Sequence, residues 1–181
     1  MLFRSNALAH LATSDAVANY FAGRDLGMTL EYGLGVHTQA IEDRFQHRID
    51  QERVGQTRIY EGIVLIDSTG ERIAEAGTLR ADAPEDYPAL AAQLGDTRGV
   101  TLIDTHDLLR FSQPVRVKDV LRGHMIAYSP VAALEGRAVA VSALRPEALV
   151  IASSGQPVSA SAPAQFFRPE LVQLLAGMGA S

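Results

Sequence analysis

Ile63-Val-Leu-Ile-Asp-Ser-Thr-Gly-Glu-Arg-Ile73 joins an apolar run to an Asp-Ser-Thr-Gly turn and a second, shorter apolar run. Four consecutive β-branched or long aliphatic residues suit a buried strand, and Gly70 can take the positive φ that a tight turn demands. The reading is a β-hairpin. A partial echo stands near the C-terminus as Leu149-Val-Ile-Ala-Ser-Ser-Gly-Gln-Pro-Val158, with Gly155 in the place of Gly70. Each copy leads into an Ala-Pro pair (Ala83-Pro84 and Ala162-Pro163), an aromatic residue, a further proline and a helical pattern.

Working outward, the chain of 181 residues suits one domain, or one domain with a fragment of a second. Its hydrophobic content of 47% and charged content of 20% are those of a folded globular protein. A net charge of −5 and the absence of any basic run argue against nucleic acid as a partner. There is no cysteine, so disulfides and thiolate metal sites are excluded. No apolar run reaches the roughly 18 to 20 residues that span a bilayer. Met1-Leu-Phe-Arg lacks the form of a signal peptide. The expectation is either a cytosolic protein or the excised soluble portion of a larger one.

Upstream of the hairpin, residues 1 to about 54 read as interrupted helix. Leu8, Leu11 and Ala12 form one stripe, and Val17, Tyr20 and Phe21 a second that begins after Ser14-Asp15. Ile41, Phe45 and Ile49 form a third, with Glu42, Asp43, Arg44, Gln46 and Arg48 on the wet face. Between the second and third stripes four glycines fall within residues 22–35, each weakening helix by about 1 kcal/mol relative to alanine. A bend is expected there.

Downstream, Arg58 to Asp67 and Glu71 to Ala76 are expected as the two hairpin strands. Ala83-Pro84-Glu85-Asp86 opens a helix whose inward residues are Tyr87, Leu90, Ala91 and Leu94, with Gly95 as its stop. Val100 to Asp104 is a further strand. Phe111 to Val120 and Gly123 to Pro130 form a pair that turns at Leu121-Arg122-Gly123. The order is strand, strand, helix, strand, strand, strand. The segment 131–145 continues as helix or extended linker, followed by the second hairpin and a helix from Pro169 to Leu175.

Three stretches, Tyr20-Phe-Ala-Gly-Arg-Asp-Leu-Gly-Met-Thr-Leu-Glu-Tyr-Gly-Leu34, Tyr60-Glu-Gly-Ile-Val-Leu-Ile-Asp-Ser-Thr-Gly70 and Gly123-His-Met-Ile-Ala-Tyr128, together carry a resemblance. The chain resembles the extracytoplasmic PAS-like sensor domains, of the Cache or PDC type, found on bacterial histidine kinases, diguanylate cyclases and chemoreceptors. The resemblance covers most of residues 8 to 160. It implies an α+β fold, with a long N-terminal helix packed on a five-stranded antiparallel sheet that holds a small ligand. The implied divisions are a helical segment at 1–55, a PAS-like domain at 56–145, and a truncated second PAS-like unit or C-terminal appendage at 146–181. The last strands of that second unit, the transmembrane helices and the output domain are not in this sequence.

Catalytic chemistry finds no constellation. His106 within Asp104-Thr-His-Asp107 has an oxygen and nitrogen donor set, but a capped turn at a strand end explains it more simply. His10, His37 and His47 lack ligand spacing. Gly33-Leu-Gly35 has neither the preceding strand nor the third glycine of a nucleotide loop. Ser68, Ser153 and Ser154 are turn residues without the setting of a nucleophile. Glu85-Asp86 is acidic where a helix dipole favours negative charge.

Carried over to this sequence, the resemblance places a ligand between the sheet and the helix and loop that cover it. The candidate lining residues are Tyr60, Arg80, Tyr87, Asp104, His106, Arg116, His124 and Tyr128. An arginine there would suit the carboxylate of an organic acid or amino acid. No cofactor, metal or catalytic residue is implied. The expected module is non-catalytic, lies outside the cytoplasm on the inner membrane, and pairs as a homodimer through its N-terminal helix. Two alternatives stay open: a dimerisation module whose function rests on Ile41, Phe45 and Ile49, and a small cytosolic enzyme using His106 with Asp104 or Asp107.

Overall fold

The computed structural model describes residues 3–54, 56–78, 86–96, 98–103, 108–130 and 133. The second hairpin, the helix at 169–175 and the segment 134–145 lie outside these residues.

The N-terminal helical reading holds, as three α-helices: α1 (Phe3–Ala12), α2 (Asp15–Asp25) and α3 (Gly35–Gln51). The break between α2 and α3 falls among the glycines, with Gly27 at φ 80° and Gly33 at φ 107°, conformations that side chains disfavour. One wide turn over Leu30–Leu34 leaves helical geometry at Tyr32 and Gly33. No described helix is long and apolar enough to cross a membrane.

A two-residue pair, β1 (Arg53–Val54) with β2 (Thr57–Arg58), precedes the main sheet. The strand expected from Arg58 to Asp67 is therefore divided. Ile59 turns back to donate its N–H to Glu52 O, and the continuous strand β3 is Gly62–Asp67. Then follow β4 (Arg72–Gly77), the helix α4 (Tyr87–Leu94), β5 (Gly99–Ile103), β6 (Leu108–Val117) and β7 (Val120–Pro130). The five main strands lie in the order β4-β3-β7-β6-β5, and every pairing is antiparallel. The fold is α+β, a helical segment on a five-stranded antiparallel sheet.

The turn between β6 and β7 departs from expectation. It is made by Lys118 and Asp119, at φ 51° and 63°, and Val117 pairs with Val120 across it. Two central residues with positive φ match the twist of the flanking strands, and aspartate tolerates that region better than most residues. Gly123, expected at the turn, sits inside β7, where a Cβ would strike the backbone oxygen of Ile66. Its role is close strand approach.

All six residues of β3 are buried, because the sheet is covered on both faces. On one face Ile63, Leu65, Ala74, Val115, Met125 and Ala127 pack with Leu8, Leu11, Val17, Phe21, Ile41, Phe45 and Ile49 from the three helices. On the other, Val64, Ile66, Ile126 and Tyr128 pack with Leu90 and Ala91 of α4. The alternation along β3 is the period of a strand, and its unbroken apolar run reflects cover on both sides. The stripe Ile41, Phe45, Ile49 is at most 1% exposed, so its apolar face is spent inside this chain.

Candidate functional site

On β7 the residues His124, Ile126 and Tyr128 are spaced by two and share the face toward α4. Their cross-strand neighbours are Ile66, Val64 and Gly62 on β3, and Pro114, Ser112 and Arg110 on β6. Over them lies α4, positioned at its start by Asp86, whose carboxylate accepts the Ala89 N–H at 3.0 Å. Gly70, at φ 88°, lets the β3–β4 turn meet the backbone of Tyr87 and Pro88, where a Cβ would collide. The opening hairpin therefore seats α4 as well as starting the sheet.

The layer beneath α4 is small and apolar, with polar groups at its margins. The Tyr128 hydroxyl lies 3.4 Å from the Tyr87 hydroxyl. Ser112 Oγ, on a buried residue, donates to Gly99 O at 3.4 Å. His124, 1% exposed, places Nε2 at 2.5 Å from Gly95 O, the carbonyl that ends α4. Since a carbonyl only accepts, Nε2 carries the proton. Its Nδ1 is buried with no hydrogen-bond partner among the described residues.

The structure brings Tyr87, His124 and Tyr128 to this face. Tyr60 goes elsewhere: it is 1% exposed in the core on the helical side, edge-on to Phe111 with ring centres 6.5 Å apart. Arg116 lies at the margin, half-exposed, with Nε donating to Asp96 at 3.0 Å and a second nitrogen to Asp119 O at 2.7 Å. It pins the loop after α4. Arg80, Asp104 and His106 lie outside the described residues. Sequence reasoning passed over Arg110 and Ser112, which share the α4 face of β6 with Pro114. Starting β6 at Leu108 rather than Phe111 would have brought Arg110 into the strand pattern.

A second polar assembly was not anticipated. Asp67 closes β3 with its side chain 4% exposed. One carboxylate oxygen accepts from Thr69 N at 2.8 Å, Thr69 Oγ1 at 2.6 Å and Glu71 N at 3.0 Å. The other accepts from the Arg24 guanidinium at 2.9 Å. Burial by itself would push this carboxyl up. The hydrogen bonds from Thr69, Arg24 and Glu71 outweigh it and hold Asp67 below the usual carboxylate range. Arg24 is in turn raised, chiefly by its hydrogen bond to Asp67. One residue on, Asp25 pairs with Arg122, whose guanidinium lies 5.9 Å from the Phe21 ring centre. These contacts fasten the end of α2 to the β3–β4 hairpin and to the start of β7.

Among the described residues no three His, Asp or Glu side chains gather as a metal site. A shallow hollow of about 380 Å³ between α1, α2 and the β6–β7 turn is lined by Ala12, Thr13, Ala18, Asn19 and Ala22 from the helical side and by Arg116, Val117 and Lys118 from the sheet. The Thr13 hydroxyl there is already committed to Ala9 O at 2.9 Å. The α4 face is the better candidate.

No family model and no curated protein matches this chain. Among solved structures it is similar to the extracellular domain of vpHK1S-Z8, a protein assigned as a histidine kinase, at 16% identity and TM-score 0.48, covering 74% of this chain. It is also similar, at 16% identity and TM-score 0.48 over 91% of this chain, to a domain from Vibrio parahaemolyticus assigned to the sensory box/GGDEF family. The chain spans about half (52%) of the first structure and 67% of the second.

Proposed function

We propose that this chain is a small-molecule sensing domain of a bacterial membrane receptor, non-catalytic in itself, with a histidine kinase as its foremost output and a diguanylate cyclase as the alternative. The observation that carries the reading is the α4 face: a thin apolar layer under a helix of eight residues, with the Tyr87 and Tyr128 hydroxyls meeting at the start of that helix and His124 at its end. Sites for small ligands combine apolar walls with a few placed polar groups. The ligand class is an organic acid or amino acid, and the domain works on the extracytoplasmic side of the inner membrane.

Binding would bias the seat of α4 and the β3–β4 turn. That turn is bonded through Asp67 to Arg24 on α2, so a shift beneath α4 has a bonded route to the N-terminal helices. A ligand moves such an equilibrium only by preferring one arrangement. The homodimer proposed for the N-terminal segment would use Leu26, Leu30, Tyr32 and Val36, exposed by 65% or more at the α2–α3 junction, since the Ile41 stripe is buried.

The test is a thermal-shift screen of organic acids and amino acids. A binder at 100 times its dissociation constant stabilises by about 2.7 kcal/mol. A flat response across the panel would remove the sensing reading.

A further inference from the structure

The two edges of the main sheet are finished differently. At one edge β4 exposes Arg72 and Glu75, paired at 2.8 Å, and α3 packs along it. At the other, β5 reads Gly99-Val-Thr-Leu-Ile103, without a charge or a proline, and its register with β6 has no bulge. Among the described residues β6 is its only strand partner. Val100 is 51% exposed, and Thr101 beside it is exposed. The loop that enters β5 is held by the bond from Arg116 to Asp96. An edge that lacks charges, proline and bulges offers its backbone N–H and C=O groups to another strand.

Read in reverse about Thr101, the sequence of this edge complements itself. Val100 stands opposite Leu102 and Gly99 opposite Ile103, while Arg98 and Asp104 lie equally far on either side. Opposite charges then face each other at both ends, an arrangement that favours cross-strand pairing. A centre at Val100 instead sets Asp104 against Asp96, and one at Leu102 sets Arg98 against His106. We propose that the outer edge of β5 is a self-association surface, on which β5 of a second copy pairs antiparallel about Thr101 and joins the two sheets into one. The contact is isologous and closes on itself. Its twofold stands perpendicular to the joined sheet, so both α4 layers lie on the same side. It is distinct from the α2–α3 junction, whose α2 end is tied to β3 and β7.

The chain has no cysteine, so single cysteines report the geometry on the full chain. Residues directly opposite across an antiparallel pair have Cα atoms about 4.5–5.5 Å apart, within reach of a disulfide. Under mild oxidation Thr101→Cys is expected to cross-link at least about tenfold faster than Val100→Cys or Leu102→Cys alone, whose own copies stand off the axis. Mixing the latter two should restore cross-linking. Thr101→Lys sets like charges on the axis and should shift the wild-type association to monomer in sedimentation. Equal cross-linking at the three positions, or unchanged sedimentation of Thr101→Lys, overturns the proposal. Should a variant fail to fold, amide exchange of the wild type decides. Protection at Val100 to Leu102 that rises with protein concentration supports the pairing. Protection independent of concentration assigns the edge to a segment of the same chain and overturns it, as does an edge unprotected at every concentration.

Discussion

The carboxylate of Asp67 accepts a hydrogen bond from the guanidinium of Arg24 at 2.9 Å, joining residues 43 apart in sequence. The same carboxylate organises its own turn through Thr69 and Glu71. A β-turn and a helix end thus share one charged group, and substitutions should separate the two duties.

Asp67→Ala strands the N–H groups of Thr69 and Glu71 and is expected to cost about 2–3 kcal/mol. Asp67→Asn keeps an oxygen for the turn and loses the charge, costing about 1 kcal/mol. Arg24→Gln should cost less than Asp67→Ala, because the Arg24 side chain is 41% exposed and its pairing is screened by water. Urea denaturation of the three variants gives the ranking, and equal losses would contradict the division of roles.

Acid should weaken the fold through Asp67. Its folded pKa lies below the unfolded value of about 3.9, so its contribution is fully present above that value. It is lost as pH falls through the lower, folded value. Urea midpoints of the wild type are therefore expected to drop more steeply below about pH 4 than those of Asp67→Asn, which has no such proton to bind. Parallel curves would assign acid sensitivity to other carboxylates.

Two glycines with positive φ should respond unequally to alanine. Gly95, at φ 53° and ψ −137°, has open space around a would-be Cβ, and Gly95→Ala should cost only the backbone strain of that conformation, about 1–3 kcal/mol. Gly70, at φ 88°, would drive a Cβ into the backbone of Tyr87 and Pro88. Gly70→Ala should cost about 3 kcal/mol or more and loosen α4, seen as faster amide exchange at Leu90 and Ala91.

Phe45→Ala tests where the third helical stripe is spent. With Phe45 1% exposed in the shared core, the loss should be about 3–5 kcal/mol in stability. A dimerisation stripe would instead show unchanged monomer stability and a weaker dimer in sedimentation.

Tyr128→Phe removes one hydroxyl from the α4 face while keeping the ring packed on Ile126 and Val64. Ligand affinity should fall by about 1 kcal/mol, roughly fivefold, with the fold intact by circular dichroism.

Much of the architecture was legible because its signals are local. The run from Ile63 to Ile66 announces a buried strand, Gly70 supplies the turn, and the spacings of Leu8, Val17 and Ile41 with their partners announce helical faces. The inward set Tyr87, Leu90, Ala91 and Leu94 was readable for the same reason. The β6–β7 turn was not, since neither Lys118 nor Asp119 carries the glycine that usually marks positive φ. Gly123 attracted the turn instead, although what it provides is room for the backbone of Ile66.

The sequence alone thus determined the helices, the opening hairpin and the α4 helix, because periodicity and backbone preference are properties of neighbouring residues. Only the tertiary structure decided which candidate side chains meet. Tyr60 lies outside the long strands and falls in the core on the helical side, whereas His124 and Tyr128 fall beneath α4. A register shift between Val115 and Arg116 sets off the end of β6, where Arg116 holds the loop after α4. Face and register are fixed by pairing between distant strands, and one residue of slip exchanges the two sides of a sheet. The bond from Asp67 to Arg24 has the same origin: each residue is unremarkable in its own segment, and only the packing of α2 against the hairpin makes them partners.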